Sequence, residues 1–406
     1  MFKVRASRTS RNTPNIRLNI RYFQDFLRTL NGVLKLARFF GISTVGVTAA
    51  FSWTILVFLT LLALEAAAIW KVIRAITGVA FNTAGGHSLI GRLSGSIFYG
   101  NALFSLVLNL RLISLWKLQS SQWVGEERNP VAHFPPDVHI RRKSLLVTWL
   151  VGVCAVVEHF LSMVSAIGLS CPPTEYFRKY ILVSHGFLLQ TYEYHLLLAI
   201  PIFIISKIAT MLWNFQDLII ILISMGLTSR YNRMNLYLNQ LVNIETRQGN
   251  LYLSILKWRR LREAYVRQAA LVRSVDKNLG PLILLACLNN FYFICLQLFL
   301  GINKERGNTI DRIYHWFSLC WLIFRACSVV ISAADVNVHS KRALPLLYKC
   351  PPSAYNTEIK RLKNQLANDR IVLRGIGFFS MDRTMLLKVA AAIVKYELVL
   401  IQYDKS

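Results

Sequence analysis

The chain has 406 residues, 54% of them hydrophobic and 17% charged, with a mean hydropathy of +0.41 and a formal net charge of +27. A soluble domain of this length carries more charge and does not average out apolar, so an ordinary globular protein is excluded. The Lys/Arg excess lies between apolar stretches rather than in one compact domain, which fits positive-inside topology and anionic membrane lipid and argues against a nucleic-acid partner.

In chain order, the first 38 residues are basic and polar, with Arg5, Arg8, Arg11, Arg17, Arg21 and Arg28 and no short apolar core. No cleavable signal is expected there, and the first span is expected to act as an uncleaved anchor. Phe39 to Leu64 holds no charged side chain over 26 positions. About 20 apolar residues cross a bilayer as a helix, which satisfies every backbone amide within one segment. The first span is placed at Thr44 to Ile69, the second at Leu89 to Leu110 or a little further, and the third at Leu145 to Leu169, before Cys171-Pro172-Pro173. Residues 180–229 are apolar but interrupted by Glu193, Lys207 and Asp217, which permits one span or two. Leu279 to Ile302, Ile313 to Ala334 and Thr384 to Tyr403 complete the set.

Charge counting favours one span in the ambiguous region, near Pro201 to Leu227. Segments 1–40, 111–143, 228–278 and 336–383 then share one side with 34 Lys/Arg, against 9 on the other. The expected fold is therefore an all-α membrane protein of seven transmembrane helices, amino terminus cytoplasmic and carboxyl terminus extracellular. It divides into a cytoplasmic segment (1–40), spans one to four (41–227), a cytosolic helical extension (228–278), spans five and six (279–335), a cytosolic helical segment (336–383), and a last span with a short extracellular end (384–406). Trp258, Leu261, Tyr265, Val272, Val275 and Leu279 make one apolar stripe at helical spacing, and Ile359, Leu362 and Leu366 a shorter one. Both are expected to pack into a cytosolic anchor bundle.

No catalytic or metal-binding constellation emerges. The seven cysteines form no CxxC pair, the eight histidines are scattered, and no cofactor is indicated. Within the spans, Glu65, Glu158, His159, Asp217 and Arg325 are expensive charges that should pair or face a wet cavity. Asp217 and Arg325 fall at similar mid-depths and are candidates for a buried ion pair. A seven-span G-protein-coupled receptor would need an external amino terminus, and a transporter usually shows internal symmetry. The charge count opposes the first and no internal repeat supports the second.

Two stretches carry a more specific signal. The run Leu212-Trp213-Asn214-Phe215-Gln216-Asp217-Leu218 through Gly226-Leu227, exiting into Thr228-Ser229-Arg230-Tyr231, resembles the fourth span of insect gustatory receptors. The final Lys395-Tyr396-Glu397-Leu398-Val399-Leu400-Ile401-Gln402-Tyr403 resembles that family's closing motif, Thr-Tyr, five mostly apolar residues, then Gln-Phe. Gly377-Phe378-Phe379-Ser380-Met381-Asp382 and Leu36-Ala37-Arg38-Phe39-Phe40-Gly41 are similar to the family's approaches to the last and first spans. This chain departs from the motif at Lys395, Glu397 and Tyr403.

The resemblance implies a tetrameric cation channel opened by a small-molecule tastant, as a homo- or hetero-tetramer with other gustatory receptor subunits in the plasma membrane of sensory neurons. The last span would line the pore. On that helix Lys388, Lys395 and Gln402 share one face, and Glu397, Ile401 and Asp404 the opposite one. A gate is expected at Ile401 and Gln402, with Glu397 modulating cation attraction, and Tyr396 and Tyr403 as structural residues of the motif. Glu158, His159, Trp316 and Trp321 fall in the outer half and are candidates for a ligand pocket. The subfamily is expected to be an aversive, bitter-type or uncharacterised one.

Overall fold

The computed structural model describes residues 26–43, 48–78, 89–128, 134–168, 171–248, 251–303, 309–350 and 355–404, some helix ends by backbone alone. Nearly all of it is helical: α1 (26–36), α2 (Thr48–Ile76), α3 (Leu89–Arg128), α4 (Ile140–Ile167), α5 (Tyr176–Ser184), α6 (Leu196–Gln248), α7 (Leu251–Asn303), α8 (Thr309–Lys341), α9 (Ala343–Leu347), α10 (Thr357–Asn368) and α11 (Thr384–Asp404). Strands β1 (Arg374–Gly375) and β2 (Phe379–Ser380) pair antiparallel ahead of α11. Among the described residues, six helices, α2, α3, α4, α6, α7 and α8, are long and apolar enough to cross a membrane. The chain is a multi-pass membrane protein.

The apolar stretch with two readings becomes one long helix, α6, preceded by α5, which at nine residues reaches only about 14 Å. The helix α6 is central. Its run Ile219, Ile220, Ile221, Leu222 and Ile223 is buried on every side, packed by α3, α4, α7 and α8. By contrast α2 and α4 turn Phe51, Leu56, Trp149 and Phe160 outward, the pattern of helices facing lipid. Gly226 has a steric purpose: a Cβ there would lie 2.6 Å from the Phe26 ring and 3.1 Å from Trp123, so only glycine lets α1 and α3 close onto α6.

At 53 residues each, α6 and α7 run about 80 Å, against a hydrocarbon core of about 30 Å, so both continue well beyond a bilayer. On this extension the stripe from Trp258 to Leu279 is buried throughout, as are Ile359, Leu362 and Leu366. Two elements here exceed the sequence expectation. The helix α3 continues past Leu110 to Arg128 because Leu112, Ile113, Trp116 and Trp123 recur at helical spacing and are buried. Residues 26–36 form a docked helix rather than a plain polar lead, with Phe26, Leu30, Val33 and Ala37 as its buried stripe. Phe26 stacks on Trp123 at 6.1 Å, and the Trp116 Nε1–H donates to Asn31 Oδ1 at 3.2 Å.

The segment before α11 is fastened by polar contacts. Asn356 caps α10, accepting from the Glu358 and Ile359 amides at 3.0 Å. Glu358 pairs with Arg262 at 2.7 Å, and Asp369 with Arg273. Asp276 takes both the amide and Nε of Arg374, at 2.6 and 3.1 Å. Gly280 lets the hairpin seat on α7: a Cβ would stand 3.0 Å from the Arg374 carbonyl oxygen. Asp382 then starts α11, accepting from the Thr384 hydroxyl at 2.6 Å and the Met385 amide at 3.1 Å. These bonds hold the Asp382 carboxyl below its usual range, the Thr384 hydroxyl first. From there α11 rises along α7 and α8.

Candidate functional site

At the end of α6 and α7 away from this extension, the helices part around a cavity of about 490 Å³. Its wall comes from the start of α3, the end of α4, residues 206–214 of α6, the end of α7 and the first half of α8. The segment around α5 covers it, resting on a small core of Tyr180, Ile181, Leu189, Ala199 and Ile202. Lys71 on α2 ties that cover down through Glu193 at 3.0 Å. Burial alone would raise the Glu193 carboxyl, but the Gln190 amide and Lys71 outweigh it and hold it below the usual range.

The lining is mixed, as a small polar ligand requires. Phe98, Phe187, Trp213 and Phe293 supply ring faces, and Glu158, His159, Gln297, Ser318, Lys207 and Arg325 supply polar groups. Glu158 accepts from the Ser318 hydroxyl at 2.6 Å, and the Gln297 amide also donates to that hydroxyl, at 3.0 Å. Lys207 donates to the Tyr180 hydroxyl at 2.5 Å and sits 4.5 Å from the centres of the Tyr180 and Phe203 rings.

On its inner side the cavity meets a closed polar ring. Arg325 lines the cavity and pairs with Asp217 at 2.7 Å, both fully buried. Its guanidinium bonds Asn214 and lies 4.7 Å from the centre of the Trp213 ring. The Trp213 Nε1–H donates to Asn290 Oδ1 at 2.9 Å, and the Asn290 amide returns to Asp217 at 3.2 Å. Opposite charges brought this deep are tolerated because each also has hydrogen-bond partners. Asn290 belongs to α7, and the next residue, Phe291, faces Tyr396 of α11 with ring centres 6.5 Å apart. A packed path therefore leads from cavity wall to last helix.

Of the pocket residues expected from sequence, Glu158 and His159 line this cavity. Trp316 and Trp321 do not: Trp316 is 63% exposed on the outer face of α8, and Trp321 is buried against Phe324 at 5.9 Å. At helical spacing Trp316 lies opposite Tyr314, Ser318 and Arg325, whereas Trp321 shares their side of α8 but is covered by its neighbours. Glu397, Ile401, Gln402 and Tyr403 fall on the α11 backbone, but their side chains lie outside the described residues. Tyr180, His185, Lys207 and Trp213 also line the cavity, and Asn290 joins the ring behind it, without a distinctive sequence pattern to mark them. The available signal was Lys207, a lone cation in an apolar run.

The trehalose receptor family profile matches residues 8–406. The chain belongs to the trehalose receptor family, within the insect gustatory receptors. Relatives from Drosophila melanogaster agree: gustatory receptor for sugar taste 64a is 32% identical over 77% of this chain and 69% of its own length. Gustatory receptor 5a for trehalose is 29% identical over 76% of this chain and 69% of its length. The fold resembles that of the insect olfactory receptor OR5 from Machilis hrabei, with a TM-score of 0.67 over 94% of this chain and 99% of that one at 9% identity. These are receptors, and the family is not one of enzymes. The bitter-type expectation gives way here, because the relatives are named for sugars.

Proposed function

We propose that this chain is a sugar-gated cation channel of taste neurons. The observation that carries the reading is the cavity itself, roomy, partly aromatic, rich in hydrogen-bonding groups and joined by a polar ring to the helix that supports α11. Aromatic faces suit the C–H surface of a sugar, and paired polar groups suit its hydroxyls. In this reading α11, whose 21 residues reach about 31 Å, is the seventh span. The amino terminus is cytoplasmic, and the extensions of α6 and α7 with residues 336–383 form the cytosolic anchor of a tetramer in the plasma membrane. Four copies of α11 surround the pore, with Ile401 and Gln402 at the gate and Glu397 attracting cations. Ligand in the cavity shifts Arg325 and Trp213, and the ring passes the shift to α7 and α11.

The test is whole-cell current from cells expressing the chain across a sugar panel that includes trehalose, beside Gln402→Ala. A sugar-evoked cation current whose permeability changes in the variant is expected. Surface-expressed chain that gives no current to any sugar, alone or with a sugar-receptor subunit, would sink the proposal.

A further inference from the structure

Lys207 is the charge in the cavity that the rest of the wall does not balance. Arg325 is matched by Asp217 at 2.7 Å. Glu158, the lining carboxylate on α4, is taken up by the Ser318 hydroxyl at 2.6 Å. Among the described residues, Lys207 has the neutral Tyr180 hydroxyl and two ring faces as partners, and no carboxylate within ion-pair distance. One of its three protons goes to Tyr180, and neither of the other two meets a protein acceptor among the described residues. An ammonium held in a low-dielectric site without a counter-charge is costly, so an anion entering the cavity gains what the protein does not supply.

A second group on the same wall points the same way. His185 is buried, its ring lies edge-on to Tyr180 with centres 6.0 Å apart, and among the described residues neither ring nitrogen has a hydrogen-bond partner. Tyr180 thus joins Lys207 and His185 into one donor-bearing patch. A carboxylate is the group that accepts from an ammonium and an imidazole N–H together. Elsewhere in the cavity the ring faces and the Ser318–Gln297 cluster suit the carbon skeleton and hydroxyls of a polyol.

We propose that the cavity takes sugar acids, polyhydroxylated ligands bearing a carboxylate, with Lys207 as counter-ion and His185 as second donor. This rests on the reading of the cavity as the ligand site. The full-length protein in lipid nanodiscs would be titrated calorimetrically with gluconate, glucuronate, glucose and trehalose, as wild type, Lys207→Met and Lys207→Arg.

The expected result is gluconate or glucuronate binding about 10-fold or more tighter than glucose, a preference lost in Lys207→Met and kept in Lys207→Arg. Equal affinity for acid and neutral sugar in the wild type, or a preference that survives Lys207→Met, would overturn it. Trehalose binding without acid binding would refute this inference and leave the sugar-receptor reading standing. Acid binding without any neutral sugar would support the inference and remove neutral sugars from the proposed function.

Discussion

Along the extension of α6 and α7, Trp258, Leu261, Tyr265 and Val272 are closed over by their neighbours, and two spaces among the described residues there are each about 10 Å³, room for a single water. At the opposite end the same two helices stand apart around about 490 Å³. The extension is held by side-chain knobs, a capped helix and ion pairs to a following segment. The cavity end is held by a few polar bonds deep in the wall and a light cover tied through Lys71 and Glu193. Binding and movement are drawn from regions of low local stability, which fits the proposed ligand site at the loosely filled end and the proposed platform at the packed one.

Breaking the cavity end has the largest expected consequence. Asp217→Asn leaves Arg325 buried without its anion and costs about 3–5 kcal/mol. Thermal unfolding of the detergent-solubilised full-length protein measures the loss. The double variant Asp217→Leu, Arg325→Met recovers most of that stability, because no lone charge remains, but not the sugar response. A double variant with normal gating would show that the ring is scaffolding only.

Leu261→Ala strikes the platform instead and costs about 2–5 kcal/mol through the void it leaves. Protein that still reaches the surface should keep its half-maximal sugar concentration within about threefold, since about 1.4 kcal/mol is needed for a tenfold change in binding. A larger shift in sugar sensitivity would mean that the two ends are not separable.

The smallest effect concerns Glu358, whose carboxyl is held below its usual range by the Arg262 hydrogen bond and, beyond that, by Arg361. Because the folded form binds its proton less readily than the unfolded chain, this contribution is present above the ordinary glutamate value of about 4.3 and fades as pH falls through the lower folded value. Glu358→Gln should cost about 1 kcal/mol at pH 7. The gap in thermal midpoint from wild type should narrow steadily as pH falls below the ordinary glutamate value. A gap that does not change with pH would assign the effect to packing.

The packed end was the more legible in sequence. The stripe from Trp258 to Leu279 announces a buried helix face because helical spacing is local information. The same logic applied to Leu112, Trp116 and Trp123 would have extended α3, and applied to Phe26, Leu30 and Val33 would have found α1. There the dense arginines around the stripe and the fall in hydropathy masked the period. The cavity was legible only in part. Glu158 and His159 stand out as ionisable groups in a span, whereas Trp316 is set apart by which face of α8 turns to the cavity and Trp321 by what packs over it, and both depend on neighbours far away in sequence. The partners of Lys207 come from residues 180 and 203, and only the fold brings Tyr180 to it.

Hydrogen exchange on the full-length protein in nanodiscs, with and without saturating trehalose, tests most directly whether the two ends divide the work. Altered protection is expected in α4, α5 and α8 around the cavity and in α11, with residues 255–275 of α7 and all of α10 unchanged. Altered protection of those platform residues, or an unaffected cavity wall while sugar is demonstrably bound, would contradict it.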